Sequence, residues 1–303
     1  MCKAAVPCRH PSAKVCRPAV LLRAAILVAA LLFVPGPQAA EQTTESFAVR
    51  LDSGRELTVQ LRKPAGAHGP LPVILLFGGF RRGDKALDLV HTEVPVIWAT
   101  FNYPFDPPRK FIFPESLKHA PAIRTAIHET FEGIVKLHGE LKKRSDVDVS
   151  RMTIVGASAG APFAIVGAAR SGIPGAILAQ GFSDVPRVVQ HLIERKYQPK
   201  LGEWISGPAW LLAAWITWYC EIPDIAAHAR QLKAGQKVLL ITAQNDDFIP
   251  RSASDELWDA LRESKAAHEK IELAGRHLRP DREGEVARIL ERALAWMEKQ
   301  DLL

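Results

Sequence analysis

The chain has 303 residues, 48% apolar and 24% charged, which is the balance of an ordinary globular protein. That composition excludes a disordered, collagen-like or coiled-coil chain, and the length suffices for one large α/β domain with its own core. The formal charge of +6 is concentrated at the start. Five of the 39 Lys and Arg lie in residues 1–40, which carry no acid, leaving 34 bases against 33 acids. The remainder has no basic surplus, so no nucleic-acid partner is expected.

Residues 1–23 are polar and basic, residues 24–34 are an unbroken apolar run, and Pro35-Gly36-Pro37 follows. A basic region, a short apolar core and then a breaker is the layout of a secretory signal. A membrane span needs about 20 apolar residues, more than this run offers. Residues 1–40 are therefore expected to be a signal peptide, with an uncleaved signal anchor as the alternative. The globular part, 41–303, is expected to be periplasmic or secreted, or else tethered to the membrane by that segment. Cys2, Cys8 and Cys16 fall in the leader, so cleavage leaves only Cys220. Placed after Trp218-Tyr219, Cys220 reads as a small buried hydrophobe.

Residues 46–51 and 56–62 alternate in polarity around Asp52-Ser53-Gly54, which predicts a β-hairpin. Residues 63–72 form a Pro/Gly loop. The continuous apolar runs at 73–77 and 94–101 predict strands buried on both faces. Helical periodicity covers 120–143. Then follow a strand at 152–155, a helix at 161–170, and strands at 176–179 and 237–242. A helix at 252–264, a strand at 270–273 and a helix at 283–299 complete the chain. A hairpin leading into strands that alternate with helices implies a mostly parallel sheet with helices on both faces. In such sheets the chemistry sits at the carboxyl ends of the strands.

Residues 184–233 break this rhythm. They hold Trp204, Trp210, Trp215 and Trp218, four of the seven tryptophans. The stretch is too long for a plain connection and is mostly helical in pattern, so it is expected to be an inserted cap. Its indoles are expected to line a substrate pocket or touch a membrane, or else to pack the cap onto the body. Membrane contact is expected only through this cap or an uncleaved leader. The oligomeric state is not legible.

Met152-Thr-Ile-Val-Gly-Ala-Ser-Ala-Gly160 places Gly156-x-Ser158-x-Gly160 between an apolar strand and an Ala-rich helix. A serine at so sharp a turn is held in a strained conformation, with its hydroxyl above the sheet edge. Such a hydroxyl needs a base to take its proton, usually a histidine oriented by a carboxylate. His277 follows a predicted strand by a short Ala-Gly-Arg turn, at a carboxyl end of the sheet. Asp246 and Asp247 follow the strand at 237–242, just before Pro250. Asp184, after the strand at 176–179, is a further candidate acid.

In this order, Ser158, then Asp246 or Asp247, then His277, the chain resembles an α/β-hydrolase over about residues 46–300. The nucleophile elbow matches Gly156–Gly160, the acid turn matches Asp246 with Pro250, and the late Gly-x-His element matches Gly275-Arg276-His277. The resemblance implies a serine esterase- or lipase-like enzyme with Ser158 as nucleophile, His277 as base and Asp246 as orienting acid. Asp247 and Asp184 remain as alternative acids. It also implies two backbone N–H donors for the developing oxyanion. Ala159 would supply one, and Gly79 or Phe80 the other. Many members carry His-Gly in that loop, whereas this chain has Phe77-Gly78-Gly79-Phe80. The expected substrate is a small-molecule or acyl ester, with peptide-bond cleavage of the exopeptidase kind or thioester hydrolysis as alternatives on the same fold. A secreted binding protein without catalysis is the alternative of another class. No cofactor is expected. No metal is expected either, since there is no His-Glu-x-x-His and no close His/Cys pairing outside the leader. The glycine turn is neither a dinucleotide fingerprint nor a P-loop. A reaction that needs neutral imidazole falls away below about pH 6–7.

Overall fold

In the computed structural model of the protein, residues 42–303 are described, apart from His68, 80–83, His91, 106–114 and Pro280. The expected leader with Cys2, Cys8 and Cys16, and Phe80 of the expected oxyanion loop, lie outside the described residues. The hairpin is built from β1 (Gln42–Arg50) and β2 (Glu56–Pro64), paired antiparallel from Gln42 with Pro64 to Arg50 with Glu56. Its turn is gripped from the side by a long helix, α1 (Ala120–Leu141), where Glu129 accepts a hydrogen bond from the Ser53 hydroxyl and Glu132 accepts one from the Asp52 N–H.

Six further strands complete one sheet: β3 (Leu71–Phe77), β4 (Ile97–Phe101), β5 (Val147–Ala157), β6 (Gly175–Ala179), β7 (Lys237–Ala243) and β8 (Ala267–Leu273). Their order is β1-β2-β4-β3-β5-β6-β7-β8. β2 pairs antiparallel with β4, and every pair from β4 through β8 is parallel. From β3 the chain steps out to β4, then returns past β3 to β5 and proceeds one way to β8. The direction of travel thus reverses beside β3, and sheets of this kind bind ligands at such a point, here the carboxyl ends of β3 and β5.

The apolar runs are explained by burial on both faces. Along β3, Val73, Leu75 and Phe77 join one core with Phe131 and Ile134 of α1. Helices α2 (Gly160–Ser171), α5 (Ile225–Arg230) and α6 (Arg251–Glu263) cover the same face. Ile74 and Leu76 point the other way, to Trp98, Ile177, Leu239 and the residues Ala293, Trp296 and Met297 of α7 (Glu283–Lys299). Successive side chains of a strand alternate between faces, so only a continuous apolar run satisfies both layers. Each fully buried Leu or Ile contributes about 1.5–3 kcal/mol.

Two strands are longer than their apolar runs. β5 begins at Val147, five residues before the predicted start, and its register shifts by a bulge between the pairs Leu71–Val147 and Val73–Met152. The polar residues there are satisfied locally, with Asp148 accepting from Ser150 and Arg151. β8 begins at Ala267. It is an edge strand, so His268 and Glu269 extend the ladder without burial.

Between β6 and β7, α3 (Val185–Leu201) and α4 (Ser206–Tyr219) pack on each other. The break between them falls at Gly202, whose φ of +78° suits glycine. α5 joins the main core through Ile225, Ala226 and Ala229. α4 turns its small residues inward: Ala209 and Ala213 are buried, whereas Trp210 is 57% and Trp218 74% exposed. Cys220 is buried at its end, and burial pushes the thiol up from its ordinary pKa.

Candidate active site

The end of β5 turns directly into α2. Ser158 sits in this turn with φ +52°, a conformation non-glycine residues seldom adopt. The Ser158 N–H donates to the Ala179 carbonyl at the end of β6 (2.8 Å), and the Ala161 N–H donates back to the Ser158 carbonyl (2.9 Å). The flanking glycines are explained by contact. A Cβ on Gly156 would overlap the Gly160 carbonyl and the Ala164 side chain, and one on Gly160 would overlap the Phe77 and Gly78 carbonyls. The loop after β3 therefore runs hard against the first turn of α2. Helix, loop and strand can approach this closely only without side chains between them.

His277 meets Ser158 from the loop after β8. Its Nε2 lies 2.9 Å from the Ser158 Oγ. On the other side of the ring, Nδ1 lies 3.0 and 2.9 Å from the two carboxylate oxygens of Asp246. An ionised carboxylate only accepts, so Nδ1 carries the proton and Nε2 is left to accept from the serine hydroxyl. The Asp246 and His277 side chains are 10% and 8% exposed. Asp246 is itself held: its Oδ1 accepts the N–H groups of Phe248 and Ile249, both at 2.9 Å. The two loops are also tied through backbone, with the Asn245 N–H donating to the Gly275 carbonyl (3.0 Å).

The other two expected acids face elsewhere. Asp247 pairs with Arg195 of α3 (2.8 Å) and Arg276 (2.9 Å). Burial alone would raise its carboxyl, but the two guanidinium groups outweigh that and hold it below the usual carboxylate range. Asp184 caps α3, accepting from the Arg187 backbone N–H (3.0 Å) and side chain (2.9 Å).

No family model matches the sequence, and no curated protein matches it. Solved structures do. A prolyl endopeptidase structure aligns at TM-score 0.60 and 15% identity, over 86% of this chain and 39% of that one. A putative dienelactone hydrolase from Klebsiella pneumoniae aligns at TM-score 0.59 and 15% identity, over 85% of this chain and 99% of that one. An esterase from Rhizomucor miehei aligns at 0.57 and 19%, over 93% and 90%. At these identities the likeness is one of fold. The fold is that of the α/β-hydrolases.

Within this α/β-hydrolase fold, Ala159 is the N-cap of α2 immediately after Ser158, and Phe77-Gly78 passes against Gly160. Two residues not singled out in the sequence shape the site. Tyr103, just past β4, donates its hydroxyl to the Gly78 carbonyl (2.7 Å), and its burial pushes the phenol well above its ordinary pKa. It thereby pins the loop that carries Gly79. A tyrosine two residues past a buried strand was the only available signal. Phe248 packs against the His277 ring at 4.9 Å with the planes tilted by 34°, and lies under Arg195 (4.2 Å), linking α3 to the histidine.

Beside Ala159 an apolar niche of about 30 Å³ opens, lined by Tyr103, Phe105, Ile123, Ile127 and Phe163 among others. None of the four tryptophans of 184–233 lines it; they face outward instead. Among the described residues, no three His, Cys, Asp or Glu side chains converge as a metal site.

Proposed function

We propose that the protein is a serine hydrolase that cleaves an ester-type acyl bond through an acyl-enzyme. The observation that carries this reading is the 2.9 Å approach of His277 Nε2 to a strained Ser158 hydroxyl, with Nδ1 against a buried Asp246. Ser158 Oγ attacks the substrate carbonyl carbon while its proton passes to His277. The oxyanion forms near the first turn of α2, where the N–H of Ala159 and that of Gly79 or Phe80 are the donors. One such donor is worth about 2.7–4 kcal/mol in the transition state. Asp246 keeps the proton on Nδ1 and stabilises the imidazolium. The intermediate collapses, and the leaving group takes the proton from His277. Water, deprotonated by His277, then attacks the acyl carbon, and the second intermediate expels the Ser158 Oγ, which takes that proton back from His277.

The niche beside Ala159 supports a small apolar group on the substrate. We read α3 and α4 as a cover over this end of the sheet, and residues 1–40 as an export signal or anchor. Labelling with a fluorophosphonate probe tests the mechanism. Wild-type protein should label and Ser158→Ala should not; a panel of p-nitrophenyl esters of increasing chain length then reads the acyl preference. A folded wild type that neither labels nor hydrolyses any ester would leave a binding protein on this fold as the better reading.

A further inference from the structure

Gln180 lies immediately after β6, between the serine turn and the histidine loop. It is 4% exposed and takes φ +55°, the left-handed region that ordinary residues seldom adopt. A buried polar residue in a disfavoured conformation calls for compensating bonds. Three are present. Its backbone N–H donates to the Ile241 carbonyl at the end of β7 (2.6 Å). Its side-chain Nε2 donates to the Arg276 carbonyl (3.2 Å), and its Oε1 accepts the Leu278 N–H (2.7 Å).

Arg276 O and Leu278 N belong to the two peptide groups on either side of His277. One primary amide thus holds both, donating to one and accepting from the other, and this pairing also sets which way the amide faces. The preceding residue, Ala179, accepts the Ser158 N–H through its carbonyl. The same two-residue segment therefore anchors the backbone of the serine and the backbone of the histidine. The Asp246 and Phe248 contacts act on the imidazole, the Asp247 carboxylate takes the His277 N–H, and the Asn245 N–H holds the Gly275 carbonyl, which leaves the Arg276 carbonyl and the Leu278 N–H to Gln180.

We infer that Gln180 is a positioning residue of the histidine loop: its amide clamps both peptides of His277 and helps set the ring on the line between Asp246 and Ser158. The inference rests on the serine-hydrolase reading for its kinetic consequence but not for its structural one. A loop free to shift by about 1 Å costs on the order of a hundredfold in a reaction that depends on alignment.

The test compares wild type with Gln180→Met, which keeps the side chain's length and removes both bonds, and with Gln180→Glu, which keeps the acceptor for Leu278 and loses the donor for Arg276. Two readouts are taken on folded protein. The first is the proton NMR resonance of the His277 Nδ1–H, assigned with a His277→Gln control. It should be sharp in wild type and broadened or lost in Gln180→Met, with Gln180→Glu between. The second is ester turnover per fluorophosphonate-titrated site. The Met variant should lose about tenfold to a hundredfold in kcat with KM within about threefold. A residue that only stabilises the fold would lower the melting temperature and leave both readouts at wild-type values, and that result overturns the inference. If Gln180→Met fails to fold, Gln180→Glu decides in the same way. A wild type inert to esters whose Nδ1–H signal nonetheless depends on Gln180 would overturn the hydrolase reading and uphold the clamp.

Discussion

Asp246 and Asp247 are neighbours in the chain and differ in their surroundings. Asp246 faces His277 and accepts two backbone N–H groups, whereas Asp247 faces Arg195 and Arg276. Removing charge at the two positions should have unequal effects. Asp246→Asn presents an amide to Nδ1 and favours the wrong tautomer, so kcat should fall by about 10³–10⁴ with the fold retained. Asp247→Asn loosens a partly exposed charge cluster, and kcat should fall by less than about tenfold. Steady-state kinetics on one good ester checks both, and equal losses would remove Asp246 from its assigned role.

At the scale of elements, the serine turn is a packing problem solved by glycine. A Cβ at position 156 or 160 meets backbone that has no room to move. Gly156→Ala and Gly160→Ala should each destabilise by about 2–4 kcal/mol in urea unfolding. Gly139 within α1 has open space around it, so Gly139→Ala should stabilise by about 0.5–1 kcal/mol. α4 poses the reverse case. It buries two alanines and leaves Trp210, Trp215 and Trp218 outside, with Trp204 just before it, while Trp98 and Trp296 are in the core. Acrylamide should therefore quench the fluorescence in two classes, and Trp210→Phe/Trp218→Phe should shrink the accessible class. Uniformly shielded emission would mean that this face is covered in solution.

Across the whole molecule, one ion cluster ties the first hairpin to the centre of the sheet. Asp146 accepts from Lys63 of β2 (2.8 Å) and from Arg144 (2.9 Å), Arg144 also pairs with Glu45 of β1, and the Asp146 carbonyl accepts the Leu71 N–H that opens β3 (2.9 Å). The hydrogen bond from Arg144, with that from Lys63, outweighs desolvation and holds the Asp146 carboxyl far below the usual carboxylate range. The unfolded chain thus binds this proton near pH 4, at which the folded chain still refuses it. The stability it contributes is complete above that pH and drains away as pH falls toward the folded value. Melting temperature should drop steeply between about pH 4 and pH 2. Asp146→Asn should melt lower at pH 7 and lose less across that window; an identical slope would remove Asp146 from the acid response.

The layered α/β architecture was legible because burial on both faces demands unbroken apolar runs, and 73–77 and 237–242 can be little else. The serine turn was legible because steric exclusion leaves glycine at two fixed positions. Polar strand ends, as in β5 and β8, were hidden because a bulge or an edge position removes the hydrophobic requirement. The spacing to Pro250 favours Asp246 over its neighbour Asp247, but which aspartate meets His277 depends on how two loops from distant strands settle against each other. Tyr103 and Gln180 act through hydrogen bonds to backbone far away in the chain, 25 residues in one case and 96 and 98 in the other. Local patterning carries burial and sterics, because these act on every residue where it stands. Partner choice across loops belongs to the tertiary structure, because a hydrogen bond exists only once both ends have been brought together.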